Sequence, residues 1–163
     1  MKNLIKIGLI IGLLCLSSIA SAQHFVAVDQ GQWLGPELVT NGTFDSDLSG
    51  WTSLALETFE WVANDAHIVE TGTNYSRIFQ DVGITVGKTY QCCFDATKNS
   101  GANLILQYGD GPATATTILE ISSSGSHCPT FTASEPGGDI VLKIKGAPAD
   151  WNLDNISCRR VYP

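Results

Sequence analysis

Beyond its first two dozen residues, no stretch of this chain holds the apolar spacing of an amphipathic helix. Apolar and β-branched residues come instead in short alternating runs, cut apart by clusters of Gly, Asn, Asp, Ser and Pro. Thr58-Phe59-Glu60-Trp61-Val62 and His67-Ile68-Val69 flank an Asn64-Asp65 turn. Residues 76–82 alternate, with Ile78, Gln80 and Val82 on one side and Arg77, Phe79 and Asp81 on the other. Further runs at 90–96, 104–108, 113–121, 128–133, 139–145 and 151–162 are separated by turn-forming residues. In the 139–145 run, Lys143 and Lys145 share a side with Val141, opposite Leu142 and Ile144, which reads as an outer sheet face. About nine short strands of this kind predict an all-β antiparallel β-sandwich.

The cysteines constrain how such strands are joined. Cys92 and Cys93 are adjacent in an alternating run, so their thiols point to opposite faces of a strand and a bond between them would close a strained ring. Each is expected to pair with one of Cys128 and Cys158, in either combination. A zinc site is disfavoured, because the CxxC spacing of such sites is absent.

Disulfides imply an oxidising compartment, and the N-terminus agrees. Lys2 and Lys6 precede an apolar run from Leu9 to Ile19, and Ala20-Ser21-Ala22 is a small-x-small cleavage sequence. Residues 1–22 therefore read as a bacterial-type signal peptide, 23–36 as a turn-rich lead-in in which 25–28 could form a short strand, and 37–163 as a single domain. The expected location is extracellular or periplasmic, with no membrane insertion after cleavage. The net charge is −7, and removing Lys2 and Lys6 makes the remainder more acidic still. With no basic run, the chain lacks the means to replace the counterions of a nucleic acid or to dock on an anionic bilayer.

Four segments, in order, carry a resemblance: NGTFDSDLSGW at 41–51, FQDVGITVGKTYQCCFDA at 79–96, FTA at 131–133 and LDNIS at 153–157. Together they resemble the carbohydrate-binding modules of the xylanase and cellulase type, which are galactose-binding-like jelly rolls, and they span nearly the whole mature chain. The resemblance implies a β-sandwich jelly roll and a non-catalytic glycan-binding role. It also implies a structural calcium, with Asp45 at the family's acidic position and Asp154 at its terminal metal-binding Asp, and a buried Trp51. An Asp in a turn also caps backbone N–H groups without any ion, and Asp47 reads simply as a solvated charge.

Sugar rings offer an apolar C–H face to aromatic side chains and hydroxyls to planar polar groups. Trp61, Tyr75, Arg77, Phe79, Gln107 and Tyr108 are the candidates for such contacts. Trp61, Phe79 and Tyr108 serve equally well as core. Catalysis finds no constellation: there is no Gly-x-Ser-x-Gly elbow, His-Glu-x-x-His or phosphate loop, and among 16 acids some carboxylates pair by chance. The alternative to glycan binding is an adhesive or structural surface protein that uses the same fold to contact other proteins or its own copies.

Overall fold

The computed structural model describes residues 26–28, 32–72, 76–110 and 115–163. The signal-peptide segment and Tyr75 lie outside these residues. Eleven strands and no helix make up the described chain: β1 (Val26–Val28), β2 (Gln32–Glu37), β3 (Thr52–Leu54), β4 (Thr58–Val62), β5 (Asp65–Glu70), β6 (Arg77–Asp81), β7 (Thr89–Tyr108), β8 (Thr116–Ile121), β9 (Gly125–His127), β10 (Thr130–Thr132) and β11 (Asp139–Tyr162).

All pairings are antiparallel, and two long strands organise them. The first half of β11 lies between β6 and the second half of β7, with β3 beyond β6 and β8 beyond β7. The second half of β11 lies between the first half of β7 and strands β5 and β2, with β4 beyond β5 and with β9 and β10 along β7. Each long strand thus serves both layers of a sandwich. Register shifts between Lys145 and Ala149 and between Asp150 and Trp151 mark where β11 passes from one layer to the other, as bulges let a strand bend without ending.

Two sequence expectations change here. The Lys98–Gly101 turn cluster is absorbed into β7, because its bend stays hydrogen-bonded to β11 (Lys98 with Trp151, Gly101 with Ala149). The end of the lead-in is not a turn: Gln32–Glu37 is a strand that pairs with β1 and β11, and Val26–Val28 is the short strand expected beside it.

The core sits where the two layers face each other. Ile78, Leu104, Leu106, Ile140, Leu142 and Ile144 come from one layer, and Ala66, Ile68, Phe94, Trp151 and Leu153 from the other. In β5, Ala66, Ile68 and Glu70 are buried while the residues between them are partly exposed, the two-residue period of a half-buried strand. Trp151 is fully buried and donates its indole N–H to the Ala102 carbonyl at 3.0 Å, so its polar atom carries no desolvation penalty. The disulfides join Cys92 to Cys158 and Cys93 to Cys128. Cys92–Cys158 lies in the core across the β7–β11 ladder, while Cys128 is exposed, so the adjacent cysteines do serve opposite faces.

Candidate functional site

The layer β3-β6-β11-β7-β8 has a second face, turned away from the core. Paired residues of an antiparallel ladder share a face, so three rows can be read across it. One row holds Leu54, Arg77, Lys143, Ile105 and Glu120; the next holds Thr52, Phe79, Val141, Gln107 and Thr117; the third holds Asp81 and Asp139. At its centre this face is well covered: Arg77, Val141, Ile105 and Gln107 are all buried. Yet none of them joins the core cluster. The face thus carries buried apolar side chains, Val141 and Ile105, flanked by polar ones.

Three of the sequence-predicted contact residues converge here. The Arg77 guanidinium lies 5.4 Å from the centre of the Phe79 ring, within cation–π range. Phe79 and Gln107 flank Val141 in one row, about two strand spacings or ~10 Å apart. Gln107 Nε2 donates to Thr117 Oγ1 at 3.0 Å, which fixes the amide, while its Oε1 is buried without a partner. Arg77 Nε and Nη1 are likewise buried and unpaired. Buried polar groups are normally satisfied; unsatisfied ones on such a face are where a ligand's complementary atoms would be favoured.

Tyr108 and Trp61 sit elsewhere. Tyr108 follows Gln107, so it points the opposite way, into the core. It is 2% exposed, stacks on Phe131 at 5.0 Å and bonds through its hydroxyl to Ser134, which corrects its candidacy as a sugar contact in favour of the core role given beside it. Trp61 belongs to the other layer, on edge strand β4, and shares a face with Ala66. It is half-exposed and donates its indole N–H to the Phe44 carbonyl at 2.5 Å. Asp139, next to Gly137-Gly138, closes the third row. Burial and the charges of Asp110 and Asp81 raise its pKa above the usual carboxylate value, against a smaller lowering by Arg77.

A separate cluster gathers at the chain ends. Gly42 lies so close to β11 that a Cβ there would fall 1.8 Å from the Ile156 carbonyl oxygen, and Ile156 N–H donates to the Gly42 carbonyl at 2.8 Å. This contact is why the Asn-Gly turn and the terminal Leu-Asp-Asn-Ile come together. Phe44 and Trp51 pack below it with ring centres 5.7 Å apart, and both are buried, Trp51 as the resemblance implied. Asp154 Oδ1 is buried without a partner. Burial raises the Asp154 pKa, as do the charges of Asp65, Asp95 and Asp45, against a lowering bond from the Asn155 backbone. An orphaned carboxylate oxygen among acids fits the donor set of a hard cation. Among the described residues, however, no three His, Cys, Asp or Glu side chains are grouped to hold a metal alone, so backbone oxygens and water would have to complete the shell.

On the outer face of the second layer, His67 bridges Glu60 (3.0 Å) and Asp150 (2.9 Å), and Asn99 joins Asp150 to Asn152. Burial lowers the His67 pKa, but these two carboxylates outweigh it and the net shift is upward.

No protein-family model matches the sequence, and no curated protein matches it. Solved structures do. A family 4 carbohydrate-binding module superposes with a TM-score of 0.56 at 16% identity, covering 75% of this chain and 99% of that one. The N-terminal cellulose-binding domain of Cellulomonas fimi β-1,4-glucanase C gives 0.55 at 20% identity, covering 74% and 94%. A family 29 carbohydrate-binding module gives 0.58 at 11% identity, covering 76% and 86%. The fold is thus the jelly roll of carbohydrate-binding modules, as the sequence resemblance implied.

Proposed function

We propose that this chain is a secreted, non-catalytic glycan-binding protein whose ligand lies on the outer face of the β3-β6-β11-β7-β8 layer. One observation carries the reading. An apolar row of Phe79 and Val141 lies beside buried, unpartnered hydrogen-bonding atoms of Arg77 and Gln107, on the face that the core does not use. Phe79, partly exposed, offers a stacking surface beside directional polar contacts, the combination that ligand sites use to set orientation. Solved family 29 modules carry mannohexaose and cellulohexaose, which makes a polysaccharide the first ligand class to try. The two disulfides favour an extracellular or periplasmic setting.

A calcium ion near Asp45 and Asp154 would neutralise the crowded carboxylates and tie the chain's two ends together. Its contribution would be to stability, since the site is not on that face.

The test is depletion and affinity electrophoresis against a panel of soluble and insoluble polysaccharides, with Phe79→Ala and Gln107→Ala alongside. Saturable binding weakened by both variants supports the reading; uniform absence of binding overturns it. The adhesive alternative draws on edge strand β4, where Trp61 and Val62 are 42% and 41% exposed. It would show itself as concentration-dependent oligomers by sedimentation, lost on Val62→Lys.

A further inference from the structure

The rows of the β3-β6-β11-β7-β8 outer face are ordered by charge. Arg77 stands directly opposite Lys143 in the β6–β11 ladder, Phe79 opposite Val141, and Asp81 opposite Asp139. Like charges directly opposite one another on a sheet destabilise it, and here two such pairs occur on one face. They are four residues apart along the strand, or ~13 Å, with an apolar row between them. Arg77 is only 5% exposed, so water does little to dilute its charge, and its Nε and Nη1 have no protein acceptor. Buried guanidinium N–H groups without acceptors are costly, and an anion that accepts from them offsets that cost. At the opposite end, burial first and then the charges of Asp110 and Asp81 hold the Asp139 pKa above the usual carboxylate value, with Arg77 pulling the other way.

We infer that this face takes an acidic glycan, a uronic-acid-containing polysaccharide, with a carboxylate at the Arg77–Lys143 end and sugar hydroxyls donating to the Asp81–Asp139 end. This rests on the glycan-binding reading and adds to it the charge and direction of the ligand. The carboxylate accepts from the planar Arg77 fork, which matches it better than a point charge would. The sugar ring covers the partly exposed Phe79, and Gln107 Oε1 accepts from a hydroxyl. The chain's overall charge of −7 opposes approach of a polyanion, but that repulsion is screened beyond a Debye length while contacts at a buried cation are not. Affinity for the acidic polymer therefore holds or rises as salt is raised to physiological strength, the reverse of a basic surface patch.

The experiment uses matched polymers: polygalacturonate, alginate and glucuronoxylan, each beside its carboxyl-reduced counterpart, with neutral mannan and cellulose as further arms. The mature protein should bind at least one acidic polymer about tenfold or more tightly than its reduced form. Arg77→Gln should remove that preference, so that each acidic polymer and its carboxyl-reduced form bind alike. Equal or better binding to the reduced or neutral polymers overturns the acidic assignment and leaves the glycan reading standing. Binding to none of the polymers overturns both. If Arg77→Gln does not fold, as judged by its melting curve, Lys143→Gln carries the test, and an unaltered acidic preference in that variant counts against the inference.

Discussion

Gln80 and Thr40 exchange a reciprocal pair of hydrogen bonds: Thr40 N–H donates to Gln80 Oε1 at 2.7 Å, and Gln80 Nε2 donates to the Thr40 carbonyl at 2.9 Å. The same Nε2 reaches the Gly50 carbonyl at 3.0 Å. One core-facing side chain of β6 thus clamps both ends of the acidic turn that bears Asn41 to Gly50. Gln80→Ala strands up to three backbone groups, and by ~1 kcal/mol or more for each it should cost about 3 kcal/mol. Urea denaturation measures this; a change within the scatter of surface substitutions would show that the turn holds itself.

Trp51→Ala should be at least as damaging. Trp51 is buried against Phe44, and its indole N–H donates to the Asn41 carbonyl at 3.1 Å. Truncating a buried Trp costs about 3–5 kcal/mol, readable in the same denaturation series.

Asp154 gives opposite signs with and without metal. Its carboxyl is held above its usual pKa, chiefly by burial, so its charged form is disfavoured in the folded state. Stability should therefore rise as pH falls through that value. In chelator at neutral pH, Asp154→Asn should melt at or above the wild-type temperature. With calcium added, wild type should gain stability and the variant should not. A wild-type melting curve indifferent to both chelator and calcium would remove the metal from the account.

His67 sets a pH dependence of the same sign in its own, higher window. Its pKa lies above 6.5 in the fold because Glu60 and Asp150 favour the imidazolium. The stabilisation is therefore complete below about 6.5, the unfolded value, and is lost as pH rises through the folded value. Melting temperature should fall across that window, and His67→Gln should flatten the fall. An identical slope in wild type and variant would assign the dependence elsewhere.

The disulfides differ in access. Cys92 and Cys158 are buried in the core, whereas Cys128 is exposed. Limited reduction followed by alkylation should label Cys93 and Cys128 first. Removing the Cys92–Cys158 bridge, which spans 66 residues, should cost about 4 kcal/mol by loop-closure entropy.

The fold was legible because alternation and turn residues act locally. The two faces of the Ser76–Val82 run separated as the sequence arranged them, with Ile78 and Gln80 inward and Arg77 and Phe79 outward. Gln107 and Tyr108 show what was not legible. Alternation places them on opposite faces, but which face meets the core is decided by strands distant in sequence, here by Phe131 and Ser134. Trp61 is half-exposed like a ligand contact, yet it lies on the edge of the other layer. The continuity of β7 through Lys98–Gly101 was hidden because a bulge and a turn draw on the same residues. The like-charge rows arise only from the β6–β11 register, which no single stretch of sequence contains.

The central claim is that the outer face of the β3-β6-β11-β7-β8 layer binds sugar. Its most direct test is titration of isotope-labelled protein with an oligosaccharide of the polymer retained in the panel, followed by amide and side-chain NMR shifts. The account expects the largest changes at Arg77, Phe79, Gln107 and Val141, with Trp61 and the Asp154 cluster undisturbed. Shifts confined to β4, to the Asp45–Asp154 region or to the outer face of the second layer would place the site elsewhere and contradict it.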